Sequence, residues 1–135
     1  MSLSCPCGLS LPYEQCCGKF IEGNDLPQTP EALMRSRYSA YTKANVGYIA
    51  KTMRGEPLAD FDPQDTLAWL QQVQWEGLKV IQTKTKSEKL GFVSFEARYN
   101  VNGEKQAICE KSEFHKIDNQ WFYVGGKMLN PNKKW

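Results

Sequence analysis

Four of the five cysteines in this 135-residue chain crowd into CPCGLSLPYEQCCG, residues 5–18. Cys5, Cys7, Cys16 and Cys17 make a C-x-C-x8-C-C pattern, two close pairs joined by one short loop. Thiolates spaced in this way can converge on one soft cation. Structural zinc takes four ligands in a tetrahedron, and two pairs brought together by a turn supply them. The spacing fits neither a C-x-x-C redox pair nor a ferredoxin pattern, so zinc ranks ahead of an iron–sulfur cluster, of redox thiols and of metal-free cysteines. Pro, Gly, Glu and Gln between the pairs leave little apolar company for four buried hydrophobes. Gly8 can take the positive φ of a tight knuckle. Ser10 reads as the cap of a short helix, with Pro12 in its first turn and Gly18 ending it just past Cys17.

The remaining residues with chemical capacity are dispersed. Arg37 falls in the apolar stripe of a helical stretch, and Glu110 falls on the apolar face of a strand. A charge in either place needs an opposite partner or hydrogen bonds, so the expectation is a buried Arg37–Glu110 pair that fixes helix against sheet, with a ligand site as its competitor. His115, the only histidine, sits on the polar face of the same strand and reads as a solvated residue rather than a general base. Cys109 alternates with Lys111 and Glu113 and has no activating base in its pattern, which makes it an inert small residue. Lys84, Lys86 and Lys89 surround a hairpin tip and read as a solvated face. The sequence holds no phosphate-cradling glycine loop, nucleophile elbow or nucleotide fingerprint.

The elements that must position these residues follow from period and punctuation. TPEALMRSRYSAY has Thr29 as cap and Pro30 at the first helical position, with Leu33, Met34, Arg37, Tyr38 and Tyr41 on one face. Gly47 ends or bends this segment before a second short helix, GYIAKTM. FDPQDTLAWLQQVQW repeats the signal with Asp62 and Pro63 and predicts a third helix over 63–73. Beyond it the period changes to two. WEGLKVIQTKTK, LGFVSFEARYN, QAICEKSEFHKI and QWFYVGG read as four strands joined at KSEK, VNGE and DNQ. In the second strand Val93, Phe95, Ala97 and Tyr99 share the core face, and in the third Glu110 and Ser112 share theirs with Ile108 and Phe114. Helices followed by hairpin-linked strands mean an α+β fold with the helices on one face of an antiparallel sheet. The NPNKKW tail reads as a frayed end on which Trp135 could dock.

Composition bounds the function. The hydrophobic share of 41% and charged share of 24% are those of a folded globular chain, and the length suits one domain with its own core. A net charge of +2 gives no basic field for nucleic acid. The opening MSLSCPCG lacks a basic segment followed by an apolar run, and no stretch is long and apolar enough to insert in a membrane, so the reading is cytoplasmic. In that reducing compartment clustered cysteines hold metal more often than they form disulfides.

CPCGLSLPYEQCCG closely resembles the SEC-C motif, the zinc module known from the SecA preprotein translocase motor. The resemblance implies zinc held by Cys5, Cys7, Cys16 and Cys17. Because the SecA module engages a chaperone and the ribosome, it also implies a protein partner for the knuckle. The order of elements resembles the NTF2-like cone, in which helices cover a curved sheet and leave a pocket. With LMRSRYSAY, GFVSFEARY, EKSEF and QWFYVGG, the whole chain is similar to the YchJ-like family. Many relatives carry a second SEC-C motif at the C-terminus, whereas this sequence closes on NPNKKW.

The expected organisation is a SEC-C knuckle over residues 1–20 and an NTF2-like domain over residues 27–130. The helix would give the pocket Arg37, Tyr38 and Tyr41, and the strands would give it Glu110, Ser112, Phe114, Trp121 and Tyr123. The favoured function is a zinc-binding protein that is not an enzyme and serves as a protein-interaction or small-ligand module, with no catalytic residue assigned. The first alternative is a pocket enzyme of the isomerase or hydratase type, with Glu110 as acid or base. The second is a ribosome- or RNA-associated factor.

Overall fold

The computed structural model describes residues 4–129, so NPNKKW and the docking expected of Trp135 lie outside the described residues. A 3-10 turn, Tyr13–Gln15, and a single helical turn, α1 (Gly18–Ile21), close the N-terminal loop. Helices α2 (Pro30–Thr42), α3 (Val46–Lys51), α4 (Glu56–Ala59) and α5 (Pro63–Leu70) follow. Then come strands β1 (Val73–Ser87), β2 (Leu90–Val101), β3 (Glu104–Ile117) and β4 (Gln120–Met128). They form one antiparallel meander in the order β1-β2-β3-β4.

Caps fix where the helices begin. The Thr29 hydroxyl accepts from the amide of Ala32 at 3.0 Å at the start of α2, and Asp62 accepts from Gln64 and Asp65 at 2.9 and 3.1 Å at the start of α5. The Asn45 side chain likewise caps α3 through the Tyr48 amide. Two expectations fail here. Gly47 lies inside α3, and the chain reverses at Ala44, whose φ of +54° takes the left-handed conformation. Helix α5 stops at Leu70 rather than 73, because Val73 already pairs with Val101 in the sheet.

Both sides of α2 are buried. Leu33, Met34 and Tyr38 pack on Val93, Phe95, Ala97, Phe114 and Trp121 of the sheet. Ser36, Ser39 and Ala40 are covered from behind by the N-terminal loop and α3. The Ser36 hydroxyl satisfies itself by bonding the Leu33 carbonyl and the Tyr48 hydroxyl, each at 2.7 Å. Gly91 lets α2 come close, since a Cβ there would stand 2.5 Å from the Pro30 ring. Burial of each large apolar side chain in this layer contributes about 1.5–3 kcal/mol.

The sheet curves because its ladders slip. Register shifts occur in β1 between Trp75 and Gly77, between Val80 and Gln82 and between Thr85 and Ser87, and in the β3–β4 ladder at Glu113 and Phe114. After α3 the chain runs alongside β4. The Tyr123 amide donates to the Thr52 carbonyl at 2.9 Å, and the Arg54 amide donates to the Tyr123 carbonyl at 3.0 Å. This covers part of an open edge and fixes the height of Tyr123 beside α2.

Candidate metal centre and pocket

The knuckle is built by short hydrogen bonds. The Cys5 amide donates to the Leu11 carbonyl at 2.8 Å, and the Gly8 amide donates to the Cys5 carbonyl at 3.3 Å, with Gly8 at a φ of +96°. Gly18 begins α1 instead of ending a helix, and its reason is space: a Cβ there would meet the Tyr13 carbonyl at 2.7 Å. Pro12, not Ser10, precedes the 3-10 turn, and no side chain caps it.

These turns bring the four sulfurs of Cys5, Cys7, Cys16 and Cys17 within 4.8 Å of one another, all on buried residues. The Cys7 and Cys16 sulfurs lie 3.6 Å apart. A tetrahedral ion with sulfur at about 2.3 Å needs sulfur separations of about 3.8 Å, so donor type, number and spacing suit a thiophilic metal. All five cysteines of the chain are free of disulfides.

The electrostatics of the bare sulfurs agree. Hydrogen bonding from the Cys17 thiol, aided by the Leu9 backbone amide and Cys16, lowers Cys7 from 9.0 to about 5. Burial and the Cys7 charge push Cys16 up to about 11, and donation to Cys7 together with burial raises Cys17 further. One sulfur therefore holds a charge that its neighbours stabilise by staying protonated. A divalent cation would take over that task and favour all four as thiolates.

Helix α2 grips this centre from behind. Arg35 donates through Nη1 to the Cys7 carbonyl at 2.7 Å while its Nε bonds Glu31 at 2.8 Å. The Ser39 hydroxyl lies 3.4 Å from the Cys5 sulfur, and the Lys43 ammonium sits 4.1 Å from the centre of the Tyr13 ring. The contacts of Arg35 with Cys7, Ser39 with Cys5 and Lys43 with Tyr13 join residues 28 or more positions apart, and no local pattern in the sequence announces them.

On its other side α2 roofs a cavity of about 310 Å³ over the concave face of the sheet. Arg37, Tyr38 and Tyr41 line it from the helix, and Glu110, Ser112, Phe114 and Tyr123 line it from β3 and β4. Met53, Pro57, Trp69 and Trp75 add to the wall. Trp75 is the hub of an aromatic cluster, with the rings of Tyr38, Tyr41, Trp69 and Tyr99 centred 5.5–6.0 Å away. Among the described residues its buried indole N–H has no hydrogen-bond partner.

The expected ion pair does not form. Arg37 uses Nη1 to bond the Ile49 carbonyl at 2.9 Å and the Thr52 hydroxyl at 2.6 Å. The free carbonyls at the end of α3 attract a cation and are nearer than the carboxylate. The guanidinium then lies 4.7 Å from the centre of the Tyr123 ring, and the Tyr123 hydroxyl donates to Glu110 Oε2 at 3.0 Å. The Ser112 hydroxyl donates to the same oxygen. Burial pulls Arg37 below its ordinary value; burial and then the Glu110 charge raise Tyr123 above its own.

Trp121 also departs from expectation. It lies outside the cavity, under the linker before α2, where its indole donates to the Gln28 carbonyl at 3.2 Å. Alternation places it on the face that carries Tyr123 but says nothing of its height along the strand. His115 bonds Glu113 at 2.6 Å on a partly exposed surface. Cys109 is buried, with its sulfur 3.9 Å from a Glu96 oxygen, and burial raises its thiol pKa. Lys84, Lys86 and Lys89 are exposed.

Helices over the concave face of a four-stranded meander, with a four-cysteine knuckle docked behind the longest helix, define an NTF2-like protein of the SEC-C type. The family model for the YchJ middle NTF2-like domain matches residues 29–126. The chain belongs to this YchJ family. A UPF0225 protein of Geobacter sulfurreducens is 38% identical over 133 residues, which is 97% of this chain and 83% of that protein. The solution structure of a SEC-C motif containing protein from Rhodopseudomonas palustris superposes with a TM-score of 0.86 at 32% identity, covering 95% of this chain and 100% of that one. A SEC-C motif containing protein from Psychrobacter arcticus, seen in a crystal structure, gives 0.81 at 28% identity, with 96% and 85% covered. Among the described residues, no helix is long and apolar enough to cross a membrane.

Proposed function

We propose that this protein is a zinc-bearing, cytoplasmic small-molecule-binding module, with the metal in the knuckle and the ligand in the cone. The observation that supports the ligand is the cavity itself: about 310 Å³ of mainly apolar wall that Arg37 and Glu110 both line while each bonds other groups. A pair whose task was structural would be in contact and sealed over; two separated charges in an apolar cavity are what orients a ligand. Zinc is the metal that best suits four sulfur donors at these separations. Its task is architectural, because four thiolates leave no open coordination position.

The test is a fragment screen by NMR on the metal-loaded protein. Shifts at the side chains of Tyr41, Trp75 and Tyr123 support the reading. A chemically broad library that perturbs none of them sinks it, and shifts confined to residues 5–17 on addition of a protein extract would point to a docking module instead. Leu9 and Leu11, exposed on the knuckle, favour that second role as a contact for another protein.

A further inference from the structure

We propose that the ligand is a small uncharged ring with a cyclic-amide edge, its N–H given to Glu110 and its adjacent carbonyl bonded by Arg37. This rests on the cavity being a ligand site, as proposed above, and deepens it. The first support is hydrogen-bonding capacity left over. Glu110 accepts the Tyr123 and Ser112 hydroxyls on Oε2, and among the described residues nothing donates to its Oε1. Arg37 spends Nη1 on Ile49 and Thr52, and its Nε and Nη2 donate to nothing among the described residues. Arg37 is only 6% exposed as a residue and lines the cavity, so donors it does not use within the protein are available to a ligand acceptor there.

Charge then narrows the choice. The cavity holds one cation and one anion, each in contact with the Tyr123 side chain. An anion gains Arg37 and meets Glu110; a cation gains Glu110 and meets Arg37. A zwitterion satisfies both but must bring two full charges out of water into an aromatic wall. A neutral donor beside a neutral acceptor costs far less to desolvate, and each of its hydrogen bonds is strengthened by a charged protein partner.

Shape supplies the rest. Flat rings stack well on aromatic faces, and Tyr38, Tyr41, Trp69 and Trp75 offer them. The volume of about 310 Å³ lies at the small end of ligand cavities, which suits one ring or two fused rings and excludes a nucleotide or a dinucleotide. Lactam rings such as pyrimidinones and purinones meet all three demands.

The experiment titrates four probes into the metal-loaded protein and reads the NMR signals of Trp75 and Tyr123: carbostyril, a bicyclic lactam; its N-methyl derivative; quinoline, which lacks the donor; and L-phenylalanine, a zwitterion. Carbostyril should bind, and the N-methyl compound and quinoline should bind about tenfold more weakly or worse, because each leaves Glu110 Oε1 unpaired. Glu110→Gln should weaken carbostyril by a similar factor and leave quinoline unchanged. If N-methylcarbostyril, quinoline or phenylalanine binds as well as carbostyril, or if other fragments shift the pocket and carbostyril does not, the ligand class is overturned while the cavity remains a site. If no molecule of any kind shifts the pocket signals, both readings fall. Because the comparison among probes uses the unmutated protein, the outcome does not depend on the variant folding.

Discussion

The hydroxyl of Tyr123 donates to Oε2 of Glu110 at 3.0 Å, and this bond holds the carboxylate in a cavity where no cation touches it. Burial and the Glu110 charge both keep the phenol protonated, so it acts as a donor throughout the neutral range. Tyr123→Phe should cost about 1–2 kcal/mol of stability, the worth of one hydrogen bond to a charged acceptor at a partly open site. Chemical denaturation of Tyr123→Phe, Glu110→Gln and the double variant checks this. Purely additive losses would mean that the bond is not formed in solution.

Gly126 stands opposite Ser112 in the β3–β4 ladder, and a Cβ placed on it would come within 2.5 Å of Glu110 Oε2. The obstructing atom is the end of a flexible side chain, so Gly126→Ala should be tolerated at less than about 1.5 kcal/mol by swinging the carboxylate away. The expected signature is lost coupling: in the Gly126→Ala background, the interaction energy between Tyr123→Phe and Glu110→Gln should fall to near zero. Coupling that persists undiminished would show that the carboxylate had not moved.

Cysteine spacing made the four-sulfur cluster legible, and alternation in LGFVSFEARYN and QAICEKSEFHKI placed Val93, Phe95 and Glu110 on the concave face. Both patterns are local and are read along one element. The failures are contacts between elements. Nothing near Arg37 in sequence reveals that the Ile49 carbonyl lies closer than Glu110 does, because that depends on where α3 ends against α2. Alternation gives Trp121 its strand but not its height along it. Gly18 looked like a helix stop, and only the proximity of the Tyr13 carbonyl shows why a side chain has no room there.

Burial first, together with nearby negative charge, raises Tyr13, Tyr38, Tyr48 and Tyr123 above their ordinary 10.0; hydrogen bonding from Gly77 to Tyr38, from Ser36 to Tyr48, and the Arg37 charge near Tyr48 and Tyr123 oppose this only in part. A folded state with raised phenol pKa values binds more protons than the unfolded chain once the pH passes about 10. Stability is therefore fully present below pH 10 and should decline as the pH climbs above it. In a spectrophotometric titration, four of the six tyrosines should ionise late and together with unfolding. Smooth ionisation of all six while the sheet stays folded would contradict the burial argument.

The knuckle carries its own sulfur cluster, whereas the main core of α2 and the sheet contains none of Cys5, Cys7, Cys16 or Cys17. Cys16→Ser should abolish metal loading, which elemental analysis should otherwise find at one zinc per chain, and chelation should unfold the knuckle while the sheet keeps its dispersed NMR signals. The link between the two is α2. Arg35 on the Cys7 carbonyl and Ser39 beside the Cys5 sulfur orient the ligands, and removing such supporting groups typically weakens metal binding by about 10–100-fold. Arg35→Met and Ser39→Ala should each weaken zinc retention by about tenfold in a competition titration with a chromogenic chelator. Arg35→Met should do so with little change in the denaturation midpoint of the sheet, since its contacts are with Cys7 and Glu31 rather than with the core. Unchanged zinc affinity in both variants would show that the loop positions its four sulfurs without help from the helix.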